Sequence, residues 1–196
     1  MNGRNKIIMG LGIRRGLKKI YIKKILLSFI LKKFFYGFDN ALKILLTVDK
    51  DVVVPILKKY GAKVGVACDI ESPIIFHNCM NFRNLQIGNN CHIGKNCFFD
   101  LRDKIEIGDN VVISMQSTFL THIDMSKSNL NLRFPQASEQ IRVMNNCYIG
   151  ARSIILMGTE LGVSSFIAAG SLVKENIEPN TMVGGVPAKF IKRLDV

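Results

Sequence analysis

Residues 1–38 contain no acidic side chain; the first carboxylate is Asp39. That absence localises the formal charge of +12, because residues 1–60 carry 14 Lys/Arg against Asp39, Asp49 and Asp51, whereas residues 61–196 carry 13 against 12. The positive charge therefore belongs to an N-terminal arm and not to a groove in the body of the chain. Aromatic side chains do not interleave with basic ones in that body, so base stacking has no support and nucleic acid is not an expected partner. No apolar run exceeds about seven residues, Ile25–Leu31 with Ser28 inside it. A bilayer needs roughly 20, which excludes a transmembrane helix.

The five cysteines include no CxxC pair. Their odd number argues against a secreted disulfide framework, and the spacing of a zinc ribbon is missing, so no metal is expected. The basic start and short apolar run lack a small-residue cleavage site after them. The N-terminus is accordingly read as retained, in a reducing cytoplasm.

What the chain does have is a period of six. Apolar residues fall at Ile87, Ile93 and Phe99, at Ile107, Ile113 and Phe119, at Val143, Ile149 and Ile155, and at Leu161, Ile167 and Val173. A trio of hexads fits one turn of a three-sided coil, and such a repeat overrides local propensity. Two interruptions break the count, a two-residue insertion within 101–104 and an excursion over 120–142. The position four after each ladder residue tests the register independently. It is Cys, Val, Ser or Thr in nine of twelve cases (Cys91, Cys97, Val111, Ser117, Cys147, Ser153, Thr159, Ser165, Ser171), and the exceptions Asp103, Ile123 and Ile177 fall where the count breaks or ends. These cysteines read as small core residues. Glycine follows the ladder residue five times, at Gly88, Gly94, Gly108, Gly150 and Gly162, which suits corners that need a positive φ or close backbone approach. A weaker echo lies upstream at Val64, Ile70, Phe76 and Phe82.

The runs IGNNCHIGKNC, IGDNVVISMQS and NCYIGARSIILMGTELGVSSFIAAGSLVKENIEPNTMVGGVPAKFI resemble the hexapeptide-repeat acyltransferases, notably the branch that modifies sugars in polysaccharide and lipopolysaccharide synthesis. The resemblance spans residues 60–193. It implies an all-β fold, a left-handed parallel β-helix over 60–196; the residues before it, 1–59, read as a basic helical arm, and the break in the count as a protruding loop near 120–142. It further implies a homotrimer with acetyl-CoA bound between subunits.

A sugar hydroxyl is too weakly acidic to attack a thioester unassisted, so a base is needed. His122, in FLTHID at the opening of the excursion, is the candidate. Asp100 and Asp124 are candidates to hold the acceptor or orient the imidazole. By resemblance, the Ala151 N–H is the oxyanion donor and Ala169 contacts the pantetheine arm, while Lys174, Lys189 and Lys192 lie near the CoA phosphates. Glu175 departs from the family pattern and puts the Lys174 contact in doubt.

A helix over 17–36 places five of six lysines within half a turn, opposite Ile20, Leu27, Leu31, Phe34 and Phe35, with Ile22, Ile25, Leu26 and Phe29 blurring the polar face. Residues 14–36 are therefore expected to make peripheral contact with an anionic membrane. The leading expectation is an O-acyltransferase acting on a cell-surface or lipid-linked glycan at the inner membrane face. N-acetylation of an amino sugar or nucleotide sugar, a non-catalytic oligomeric membrane scaffold, and a metal enzyme built on His77, His92 and His122 are the alternatives.

Overall fold

The computed structural model describes residues 3–195, with side chains from Gly16 onwards. The chain divides into two compact units, Met1–Ile44 and Leu45–Val196.

The first unit is helical. Helix α1 spans Gly3–Tyr36 and α2 spans Phe38–Leu42; Gly37, at φ 82°, breaks the chain between them. Within this unit the Phe29 ring meets Phe38 edge-on, with centroids 5.8 Å apart. The residues that blur the polar face are the covered ones: Phe29 is buried, and Ile22, Ile25 and Leu26 are half-buried. On the opposite face Ile20, Leu27, Leu31 and Phe34 stay exposed. Among the described residues no helix is long and apolar enough to cross a membrane.

The second unit opens with α3, Lys50–Lys59, whose Asp49 cap accepts the Asp51 N–H and whose last turn carries Lys58 and Lys59. These are the charges that the two ends of a helix favour. With three helices present, the chain as a whole is not all-β as expected; the β-helix begins only after α3.

Five coils follow. The first holds β1 (Lys63–Val64), β2 (Asp69–Ile70) and β3 (Ile74–His77), and the second β4 (Leu85–Ile87), β5 (His92–Ile93) and β6 (Cys97–Asp100). The third holds β7 (Ile105–Ile107), β8 (Val112–Ile113) and β9 (Thr118–Leu120), after which β10 (His122–Ile123) and β11 (Ala137–Ser138) form a two-stranded antiparallel ribbon. The fourth holds β12 (Ile141–Val143), β13 (Tyr148–Ile149) and β14 (Ile154–Leu156), and the fifth β15 (Glu160–Leu161), β16 (Phe166–Ile167) and β17 (Leu172–Val173). Strands β18 (Thr181–Gly184) and β19 (Lys189–Arg193) close the end, β18 parallel to β16 and β19 antiparallel to β18.

Every third strand joins the same sheet, so three parallel faces form. The hexad ladder is the register: Val64, Ile87, Ile107, Val143 and Leu161 stand in line on one face. Phe76, Phe99, Phe119, Ile155 and Val173 do so on another. All twelve ladder residues are buried, and so are all nine of the small residues four positions on, whereas Asp103, Ile123 and Ile177 are not. The buried hydroxyls bond to backbone carbonyls, as Ser117 does to Ser114 at 2.8 Å and Ser153 to Ala168 at 3.0 Å. The cysteines sit in the same niches; burial pushes the Cys97 thiol up to about 11, consistent with packing and not nucleophilic chemistry.

Of the two reasons offered for glycine after the ladder residue, close approach is the operative one. A Cβ on Gly150 would lie 2.5 Å from the Ala169 nitrogen, and one on Gly162 would lie 2.5 Å from that of Pro179. The positive φ falls two residues later, at Asn90, Asn96, Asn110, Gln116, Asn146, Arg152, Ser164 and others. Asparagine tolerates that region best among residues with a side chain.

The Phe99 ring stacks on Phe119 at 4.9 Å and on Phe76 at 5.7 Å. We expect Phe99→Ala to lower unfolding stability by about 3–5 kcal/mol, the usual cost of truncating a buried aromatic, while Phe98→Ala on the outer surface costs less than half as much. Denaturant titration of the two variants checks this, and equal losses would contradict the register.

Candidate active site

Three side chains converge at the corner that follows β3, β6 and β9 in successive coils. Asp100, the last residue of β6, is fully buried. Its Oδ2 lies 2.5 Å from His122 Nδ1 and accepts the Thr121 N–H at 3.0 Å, with the Thr121 hydroxyl 2.9 Å away. Its Oδ1 accepts from Asn78 Nδ2 at 3.0 Å and from the Arg102 N–H at 3.3 Å. Burial pushes the Asp100 carboxyl up, but the hydrogen bonds from His122, Asn78 and Thr121 outweigh it and hold the group below the ordinary carboxylate value. A carboxylate only accepts, so His122 Nδ1 is the donor, and in the neutral ring Nε2 carries the lone pair. The imidazole is about one-fifth exposed, so one edge remains open to a ligand. His122 also opens the β10–β11 ribbon, opposite Ser138, which anchors the base of the excursion.

Each carboxylate oxygen of Asp100 thus has two partners within the chain, His122 among them. Asp124 is exposed. It accepts the Ser126 N–H at 2.9 Å and stands 3.8 Å from Arg102. Asn78 and Thr121 escaped the sequence reading. Asn78 sits in the weak upstream echo, and the only signal it carried was an asparagine out of step with the hexad count.

Ala151 and Ala169 occupy one corner, between β13 and β14 and between β16 and β17. The Gly170 N–H donates to the Ala151 carbonyl at 2.8 Å. His122 follows β9 at the far end of the neighbouring face, where Leu120 pairs with Leu156. One chain therefore does not bring Ala151 and His122 together. Lys174 and Lys189 line a cleft of about 240 Å³ at the end of the coil, with Phe190 and Arg193. Arg193 donates to the Pro179 carbonyl and the Thr181 hydroxyl, each at 2.9 Å. Lys192 lies outside the cleft lining, opposite Met182 in the ladder. Lys174 pairs with Glu175 at 3.2 Å, both side chains being exposed.

Within this one chain the three histidines have separate surroundings. His92 is 3.3 Å from Asp69, which also holds Lys50 at 2.9 Å, while His77 packs beside Phe98. Among the described residues no three His, Cys, Asp or Glu side chains are grouped to hold a metal.

The coil of hexads thus carries a histidine paired with a buried carboxylate at its irregular corner. A model of the hexapeptide repeat of succinyl-transferase matches residues 85–115 and 140–175. Galactoside O-acetyltransferase of Escherichia coli (strain K12) is 30% identical over 145 residues, covering 71% of this chain and 68% of that protein. Two solved structures share the fold. A hexapeptide-repeat acetyltransferase from Vibrio cholerae complexed with acetyl-coenzyme A has a TM-score of 0.70 and 21% identity, over 90% of this chain and 88% of that one. A galactoside acetyltransferase in complex with coenzyme A has a TM-score of 0.68 and 24% identity, over 92% and 82%. The chain belongs to the hexapeptide-repeat acyltransferases, and it is an acyl-CoA-dependent acyltransferase.

Because the Asp100 carboxyl is depressed in the fold, the charged form contributes stability above the ordinary carboxylate value near 3.8, and that stability is lost as pH falls through the lower folded value. Acid titration of thermal stability should show a steeper fall for the wild type than for Asp100→Asn below about pH 4. Superimposable acid limbs would mean that the carboxylate is not held as described.

Proposed function

We propose that the chain transfers an acetyl group from acetyl-CoA to a sugar hydroxyl by direct attack on the thioester. The observation that carries this is the buried Asp100 carboxylate 2.5 Å from His122 Nδ1. His122 Nε2 takes the acceptor hydroxyl proton while the oxygen bonds to the acyl carbon. The C–S bond then breaks, and the imidazolium returns the proton to the departing thiolate. The Ala151 N–H steadies the oxyanion, and Ala169, Lys174, Lys189 and Lys192 serve the coenzyme. We read the coil as left-handed and the assembly as a homotrimer. Separation of Ala151 from His122 within one chain supports that reading, since a second copy supplies the missing half. A hydroxyl acceptor is favoured over an amine because the 30% identical relative is named an O-acetyltransferase.

Acetyl-CoA at about 100 times its dissociation constant should stabilise the protein by about 2.7 kcal/mol. His122→Ala should keep that shift and lose roughly 10²–10⁴ in kcat, the usual share of a general base. No thermal shift at millimolar ligand would remove the reading, and full activity in His122→Ala would remove the base.

The same proposal places the reaction at a membrane surface. Ile20 (65% exposed), Leu27 (55%), Leu31 (47%) and Phe34 (81%) form an uncovered apolar stripe on α1, in a segment with six lysines and no acid. An anionic bilayer draws on both features, apolar burial and the attraction of basic residues at about 1 kcal/mol each near the surface. The full chain should sediment with vesicles containing phosphatidylglycerol, release at high salt and ignore pure phosphatidylcholine. Leu27→Ser with Leu31→Ser should weaken binding at least about tenfold through lost apolar burial, and failure to bind anionic vesicles would count against the arm's role.

A further inference from the structure

Asn78 departs from the other positive-φ asparagines of the coil. Asn90, Asn96, Asn110 and Asn146 each lie three residues after a ladder position, and Asn90, Asn110 and Asn146 bond amide to amide along one corner, at 2.9 and 3.2 Å. Asn78 adopts φ 53° only two residues after Phe76, and its amide joins no such ladder. It reaches one coil up to Asp100 Oδ1 at 3.0 Å and lies 3.4 Å from both ring nitrogens of His122. An amide nitrogen equidistant from Nδ1 and Nε2 touches the ring along its face or at the carbon between them, not along either lone pair. It therefore limits where the ring can swing without consuming the proton acceptor.

We infer that Asn78 is a positioning residue for the Asp100–His122 pair. One N–H of its amide fixes the rotation of the carboxylate, leaving Oδ2 for Nδ1. The body of the amide fills the space into which the imidazole would otherwise turn. Without it, Asp100 retains partners at Oδ2 in Thr121 but loses the side-chain partner at Oδ1, where only the Arg102 N–H at 3.3 Å remains. The carboxylate is then free to rotate, and the imidazole to change tautomer. This rests on the reading of His122 as base.

The test separates this role from that of a corner residue. Glycine and aspartate both accept a positive φ, so Asn78→Gly and Asn78→Asp keep the corner while removing the donor, and Asn78→Asp adds a like charge beside Asp100. In full-length protein labelled with 15N-histidine, the wild type should show a single Nδ1–H tautomer for His122 with a slowly exchanging proton. Both variants, once shown to be folded, should show faster exchange of that proton or mixed tautomers. With methyl β-galactoside as the acceptor probe, kcat should fall roughly ten- to hundredfold, the effect of losing one hydrogen bond to a charged group, with the KM for acetyl-CoA unchanged. Asn78→Asp should be the worse of the two. Wild-type tautomer and exchange in either folded variant would overturn the inference, whatever the activity. Activity retained in His122→Ala would instead overturn the base reading and leave the positioning measurement standing.

Discussion

Everything in the β-helix depends on stacking each coil directly over the last. Parallel strands two to four residues long cannot hold a sheet by themselves; they are held because identical positions recur every coil and bury the same kind of side chain in line. That requirement fixes three sites per hexad: a large apolar ladder residue, a small one at the next corner, and a backbone close to its neighbour. At Gly150 and Gly162 the closeness is literal, since a methyl group would meet the next coil's backbone at 2.5 Å. The corner residue between them takes the left-handed region so that the chain turns without wasting residues, and ten such turns repeat at the same offset, eight of them with side chains and two as Gly158 and Gly170.

The candidate site lies where this constraint is relaxed. Two of the three corner types keep the offset almost throughout. The third, after β3, β6 and β9, does not: the insertion at 101–104 and the excursion at 120–142 both lie there, and the left-handed turn moves to Asn78. Released from the turn pattern, Asn78, Asp100 and His122 occupy three successive storeys of one corner and are joined by hydrogen bonds of 3.0 and 2.5 Å. A rigid coil below and above supplies what an orienting carboxylate needs, a buried place with its own donors already in position.

The fold was legible because the hexad pattern is a packing requirement written directly as residue type: every ladder residue and every small site between Ile87 and Val173 proved buried. The site was half legible. His122 stood out because it opens a break in the count, and Asp100 because it follows Phe99 where the resembled family often has Asn or Asp. The choice between acceptor ligand and imidazole partner for Asp100 could not be made from spacing, since both roles suit a carboxylate at that position. Asn78 was missed because its importance lies in a contact 44 residues away. Asp124, two residues from His122, suited a loop-capping group, and its carboxylate accepts the Ser126 N–H in its own loop. The lysines divided in the same way: Lys174 and Lys189 share a cleft, and Lys192 does not line it.

The sequence by itself determined the period, the inward set of each coil, the separation of a basic arm from a nearly neutral body and the break that carries the histidine. These are all consequences of local residue type at fixed spacing. Only the tertiary structure decided which neighbours each polar group meets. It buried Asp100 completely, turned His122 Nδ1 towards it, covered one face of α1 while leaving Ile20, Leu27, Leu31 and Phe34 exposed, and set Ala151 on a different corner from His122. Burial and hydrogen-bond partnership depend on stacking coils that lie some 20 residues apart in the chain, and no single hexad contains that information.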